Sequence, residues 1–240
     1  MKNYGFESIH DLFSRVSGSY DLMNDVMSLG SHHLWKAELV DTIQWPSVPR
    51  PIHCVDMACG TGDVGLRVWA KAQQKNYDIR MTMIDPNASL LGKAQQRADA
   101  LGATHAIHWL ESDALGADID INTVDVYTMS FGLRNMEARD KVLHRIWQQL
   151  RPGGCFYCLE FSQPTDASWR QWYHIYLNWL PVVGKIMANN AAAYAYLRDS
   201  IKAFPPAHEL VDLYQSIGFS NCFCRPMTQG IVAITGGMKL

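Results

Sequence analysis

The chain has 240 residues, 48% of them hydrophobic, and a formal net charge of −2. That length is most simply one domain, and the apolar fraction is ample for a buried core. The nearly balanced charge gives no general pull toward nucleic acid or an anionic surface, no stretch is apolar enough to span a bilayer, and no signal peptide opens the chain.

The first fifty residues read as a helical cap. Phe6 to Arg15 has helical spacing, and so does Ser31 to Ile43, with Leu34, Trp35, Glu38, Leu39 and Thr42 near one face. Pro46, Pro49 and Pro51 mark a connection. Strands and helices then alternate over 51–164: strands near 52–57, 79–84, 106–110, 124–130 and 154–161, helices near 63–75, 87–101 and 137–150, with Pro152-Gly153-Gly154 turning the last helix into the fifth strand. This rhythm predicts an α/β fold, a doubly wound and mostly parallel sheet with helices on both faces. From 165 to 205 the pattern changes to Trp, Tyr, Leu and Ala, with Pro181 and Gly184 dividing helical pieces. This reads as an insertion over the carboxyl ends of the strands, where ligands bind. A helix near 207–217 and a hairpin, 219–225 and 230–236, close a seven-stranded sheet with one antiparallel member.

Ile52 to Asp63 is the most informative stretch. It reads as an apolar strand running into a glycine turn, in which Gly60 and Gly62 let a ligand lie close to the main chain. Gly60 to Gly65 fits G-x-G-x-x-G, and Asp85 follows twenty residues later, as in dinucleotide sites. Asp56, however, stands before the glycines in D-x-A-x-G-T-G-D. Carboxylates at Asp56 and Asp63 suit a cofactor carrying a sulfonium and an ammonium and would repel a pyrophosphate. The motif therefore weighs toward S-adenosylmethionine (SAM) over a nicotinamide dinucleotide; taken alone it also fits a turn with glycines for packing. Asp85 suits the ribose diol as a bidentate acceptor, or else caps the helix that follows Pro86-Asn87. Asp113 can accept from an adenine amino group beside the small Ala114, or is a plain loop acid. Ser130, ending the fourth strand, sits beside the cleft.

The six cysteines form no metal pattern: Cys155 and Cys158 lie in a strand that turns them to opposite faces, and Cys222 and Cys224 lack a second ligand pair. No metal is expected.

Val124 to Asn135, ending Ser130-Phe131-Gly132-Leu133-Arg134-Asn135, closely resembles a segment of the ubiquinone/menaquinone biosynthesis C-methyltransferases. Phe13 to Gly30 resembles that family's opening signature, followed by His33-Leu34-Trp35-Lys36. Leu159-Glu160-Phe161-Ser162, Tyr194 to Ile201 and Gly230 to Ala233 are similar to later elements in the same order. The resemblance implies a class I SAM-dependent methyltransferase that methylates a ring carbon of a prenylated benzoquinol or naphthoquinol. It places Thr61, Asp85, Asp113, Ala114 and Ser130 at cofactor positions. Cys59 stands where the family has glycine, and Asn190 where it tends to have Asp.

A quinol ring carbon becomes nucleophilic when a ring hydroxyl loses its proton. Arg134 suits stabilisation of the oxide and Asn135 the orientation of the quinol oxygen; the base that removes the ring proton is water or another residue. Tyr20, Tyr194 and Tyr196 are substrate-pocket candidates, with core packing as the competing role, and His33 reads as packed or capping. Trp169, Trp172, Tyr173, Tyr176, Trp179 and Leu180 form one aromatic face, either a membrane-surface contact that admits the tail or a lid packed on the sheet. The simplest location is the bacterial cytoplasm, peripheral at the inner membrane. Exposed apolar helices make a homodimer or a quinone-biosynthesis complex reasonable. Three alternatives remain open: an O- or N-methyltransferase of a soluble small molecule, a non-catalytic SAM-binding subunit of such a complex, and a dehydrogenase.

Overall fold

The computed structural model describes residues 11, 24, 25, 27, 28, 30–188 and 191–240. The expected helix over 6–15, most of the opening signature, Tyr20 and Asn190 lie outside them.

Seven strands form one sheet: β1 (Ile52–Met57), β2 (Ile79–Asp85), β3 (Ile107–Glu111), β4 (Val124–Ser130), β5 (Leu150–Phe161), β6 (Ser220–Met227) and β7 (Val232–Met238), in the order β3-β2-β1-β4-β5-β7-β6. The first five are mutually parallel, and β7 runs antiparallel to both β5 and β6. This is the expected doubly wound sheet. The order reverses between β1 and β4, which opens a crevice at their carboxyl ends. All six residues of β1 are buried, as befits a central parallel strand covered on both faces.

The faces divide by strand alternation. Cys54, Met81 and Val126 pack with α1 (His32–Thr42), α2 (Asp63–Gln74) and the inserted pair α5 (Ala167–Ala188) and α6 (Ala191–Ala203). Val55, Met57, Tyr127 and Met129 pack with α4 (Arg139–Gln149) and α7 (Ala207–Ile217). Helix α3 (Ala88–Ala100) follows β2. Cys155 joins the first cluster and Cys158 the second, so these two thiols diverge.

Four expectations need correction. Pro152-Gly153-Gly154 is not a turn before the strand; β5 begins at Leu150, and these residues form an irregularity between the Val124–Leu150 and Val126–Cys155 pairs. Pro181 and Gly184 do not divide the insertion; α5 runs through both. Gly184 is needed for close packing, since a Cβ there would lie 2.2 Å from the Tyr194 ring of α6. The buried face of α1 is His32, Trp35, Lys36, Leu39 and Val40, while Leu34 is 73% exposed. The aromatic residues of α5 form two faces, not one. Tyr173, Leu177 and Leu180 point into the core, and Trp169, Trp172, Ile175, Trp179 and Val182 point outward.

Candidate active site

A cavity of about 500 Å³ opens at the carboxyl ends of the central strands, within the range of small-molecule sites. Of the residues expected to hold the cofactor, Gly60, Asp85, Asp113, Ala114 and Ser130 line it, and so does Asn135. A narrow recess of about 20 Å³ shares Ala58, Gly60, Ser130 and Phe131 with it and reaches Lys36, Asp56, Cys59, Thr61 and Asp63.

The glycine turn is held from behind. Asp85 is buried, accepting from the Gly60 N–H at 2.8 Å on one oxygen and from the Asn87 N–H at 2.9 Å on the other. It is not the helix cap: the Asn87 side chain caps α3 by accepting from the Ser89 and Leu90 N–H groups. Gly62 has φ +79° at the N-cap of α2, where a Cβ would also lie 2.9 Å from that of Ala94. Thr61 is buried and accepts from Arg97 at 2.8 Å; it borders the recess, not the main cavity.

Asp56 plays a different part from the one its motif suggested. Both oxygens are engaged within the protein, accepting from the Gly65 N–H at 2.9 Å and from the Thr128 hydroxyl at 2.7 Å. Burial pushes its carboxyl up to about 7 against these two bonds. It braces the turn from beneath and touches the recess alone. Asp63 is its opposite. Burial would raise it, but Lys36 at 2.8 Å and Arg67 at 2.6 Å hold it near 2. Lys36 drew attention in the sequence only as part of a resembled signature. A charged side chain on the buried face of a helix is a sign of a partner that could have singled it out.

The far wall is strained. Ala58 and Phe131, which follow β1 and β4, have φ +54° and +56°, a left-handed conformation that non-glycine residues rarely adopt. Each costs about 1–3 kcal/mol, a strain that concentrates at functional sites. The Ala58 methyl stands where a side chain at Gly132 would go, 2.8 Å from its notional Cβ. Ser130 Oγ is buried with no hydrogen-bond partner among the described residues. Asp113 forms an exposed loop turn, one oxygen accepting from the Leu115 and Gly116 N–H groups at 2.8 and 2.7 Å, and it still lines the cavity.

Arg134 does not line either space. Its guanidinium is buried against Glu160 at 3.0 Å, donates to the Phe131 carbonyl and lies over the Phe131 and Phe161 rings. It is therefore not a cation displayed to the cleft, because Glu160, from the end of β5, claims it. Asn135 does face the cavity, and its Oδ1 accepts from the Tyr196 hydroxyl of α6 at 2.9 Å. Tyr194 is 1% exposed, packs on Gly184, and has a buried hydroxyl without a partner among the described residues. His33 does not cap α1; it is exposed, with its ring 3.9 Å from that of His32 and its Nε2 3.1 Å from Asp25.

Comparison with known proteins matches residues 1–239 to the model of the ubiE/COQ5 methyltransferase family. The chain belongs to the ubiE/COQ5 methyltransferase family. It is 36% identical to the ubiquinone/menaquinone biosynthesis C-methyltransferase UbiE of Zymomonas mobilis, over 97% of this chain and 92% of that one. It is 34% identical to a mitochondrial 2-methoxy-6-polyprenyl-1,4-benzoquinol methylase of Dictyostelium discoideum, over 99% and 86%. Among solved structures it is similar to the [4+2]-cyclase SpnF, with a TM-score of 0.67, 14% identity and 98% and 97% coverage. That last likeness speaks for the fold alone. The cofactor of this methyltransferase is SAM. The cavity suits it: a buried carboxylate at Asp85, room beside Ala114, an unsatisfied hydroxyl at Ser130 and the bare backbone of Gly60.

Proposed function

We propose that this chain is a SAM-dependent C-methyltransferase acting on a ring carbon of a prenylated benzoquinol or demethylmenaquinol in ubiquinone and menaquinone biosynthesis. One observation carries the reading. A family match spanning residues 1–239 coincides with a cavity whose wall holds Asp85, Asp113, Ala114, Ser130 and Asn135 together. The names of the two relatives supply the substrate class.

Bound SAM supplies an electrophilic methyl group. Asp85 would hold the ribose hydroxyls, Asp113 would accept from the adenine amino group, and Ala114 would leave space for the ring. The Gly60–Gly62 turn would let the cofactor approach the main chain, Asp56 braces that turn, and Thr61 and Ser130 would stand beside the bound molecule. Asn135, fixed by Tyr196, orients a quinol oxygen. Arg134 contributes through its field and by holding the Phe131–Asn135 turn, since its Nη1 is engaged by Glu160 and the Phe131 carbonyl. Tyr194 serves to pack α6 on α5.

A substrate with an isoprenoid tail resides in the bilayer, and no helix among the described residues is long and apolar enough to cross one. The outward stripe of α5, with Trp172 68% and Trp179 61% exposed, is the surface that meets the membrane. Its residues recur at three- and four-residue spacing along one side, and tryptophan favours the lipid–water interface.

Expression in a bacterium lacking its own quinone-ring C-methyltransferase tests the main reading. Recovery of ring-methylated quinones supports it, and unchanged demethyl quinones at normal protein levels would overturn it. The membrane reading is tested with phosphatidylethanolamine–phosphatidylglycerol vesicles carrying brominated acyl chains. Tryptophan quenching that is lost in Trp172→Glu supports it, and equal quenching in that variant would refute it.

A further inference from the structure

SAM ends in an amino acid, with an ammonium and a carboxylate on one carbon. A carboxylate taken out of water needs a cation or N–H donors facing it. The main cavity offers it the wrong sign. Asp85, Asp113 and Glu137 line that space, and among the described residues no Lys, Arg or His does. Arg134 lines neither space and is tied to Glu160. The nucleoside end is suited to the main cavity, and the carboxylate is not.

The recess differs. It shares Ala58, Gly60, Ser130 and Phe131 with the main cavity, so the two spaces meet at the glycine turn. At about 20 Å³ it has room for a small polar group and none for a nucleoside. Among the described residues, Lys36 is the one Lys, Arg or His that lines it.

Lys36 is built into this place. It lies on the buried face of α1, with 8% of its side chain exposed. An ammonium carries three donors. Among the described residues Asp63 takes one of them, through Oδ2 at 2.8 Å. Asp63 does not cancel the charge alone, because its other oxygen accepts from Arg67 at 2.6 Å. Two cations thus face one carboxylate. Asp56, the other acid at the recess, is turned away with both oxygens, toward Gly65 and Thr128. A buried lysine with donors to spare, beside a space the size of a small polar group, suits an anion.

We infer that Lys36 is a cofactor-binding residue that would donate from Nζ to the SAM carboxylate in the recess, with Asp63 as its positioning residue. This rests on SAM as the cofactor and not on the quinol reading. It makes α1 part of the cofactor site. The helix that precedes the sheet and the glycine turn that follows β1 would hold the same molecule, one by its carboxylate and the other along its length.

Calorimetry with three ligands tests this without turnover. They are S-adenosylhomocysteine, its decarboxylated analogue, and methylthioadenosine, which lacks the whole amino-acid end. Wild type should bind S-adenosylhomocysteine at least about 10-fold more tightly than the decarboxylated analogue. Equal binding would overturn the inference before any variant is made. Lys36→Met keeps the stem of the side chain and removes its charge. In this variant affinity for S-adenosylhomocysteine should fall about 10- to 100-fold, with the other two ligands within about threefold of wild type. Lys36→Arg should restore part of the preference. A preference that persists in Lys36→Met would mean that other groups hold the carboxylate. An equal loss for all three ligands would mean that Lys36 only supports Asp63 and the turn. Either result would overturn the assignment. Because no quinol enters the experiment, its outcome is separate from the fate of the substrate reading.

Discussion

The guanidinium of Arg134 and the carboxylate of Glu160 form a buried ion pair, 5% and 2% exposed, that joins the turn after β4 to the end of β5. Glu160 also accepts from the Arg134 and Phe161 backbone N–H groups. The two strand ends that frame the cleft are thus fixed to one another through the residue first read as a catalytic cation.

Removing one member of this pair leaves an uncompensated buried charge. Arg134→Ala and Glu160→Ala are each expected to cost about 3–5 kcal/mol, read as a lowered urea midpoint. The double variant Arg134→Met/Glu160→Leu should recover much of that stability, since an apolar pair of similar volume replaces both charges, yet remain inactive in methyl transfer. If the double variant is active, the pair is structural only.

Asp85→Asn keeps the shape but exchanges a charged acceptor for a neutral amide, one end of which now faces a backbone N–H. Hydrogen bonds to a charged group contribute about 1.5–3 kcal/mol, so SAM affinity by calorimetry should fall about 10- to 100-fold. Because one of the buried N–H bonds from Gly60 and Asn87 is lost in the variant, the protein without ligand should also be destabilised, by about 1–3 kcal/mol.

Asp56 gives a pH signature of definite sign. Its folded pKa, raised to about 7 by burial, lies above the ordinary 3.8. The folded state therefore binds the extra proton, and the associated stability is present at low pH and lost as pH rises from about 4 through 7. In Asp56→Asn this loss disappears. Urea unfolding at pH 4.5, 6 and 8 should show a smaller decline for the variant than for wild type over that interval. Asp63, held near 2, works the other way, stabilising above pH 4 and losing that contribution as pH falls toward 2.

Gly184→Val places a side chain into the Tyr194 ring, with the first carbon 2.2 Å away. Overpacking of this kind costs about 1–3 kcal/mol. Thermal unfolding should reveal the loss, while SAM affinity stays near wild type, because neither residue lines the cavity.

Much of the fold was legible because its signals are local. Apolar runs bounded by Gly, Pro and Asp marked β1, β2 and β4 almost to the residue, and the Pro86-Asn87 pair announced α3. The departures have tertiary causes. Pro181 reads as a break in the sequence, but it lies in a 22-residue helix held in place by α6 through Gly184 and Tyr194. The outward Trp169, Trp172 and Trp179 could not be told from the inward Tyr173, because composition shows aromatic residues but not which side a neighbour covers. At the site, sequence brought Gly60, Asp85, Asp113, Ala114, Ser130 and Asn135 to one cavity through fixed offsets from strand ends. It could not show that Glu160, twenty-six residues after Arg134, occupies that cation, or that Lys36 crosses from α1 to Asp63. Pairings across such distances exist only once the chain is folded.

The most direct test uses the purified chain alone with methyl-labelled SAM and short-tailed demethyl benzoquinol and demethyl naphthoquinol, kept reduced, with the label located by carbon NMR. Label is expected on a ring carbon of at least one of the two quinols, with none on oxygen. Tight SAM binding with no ring-carbon label from either quinol would contradict it.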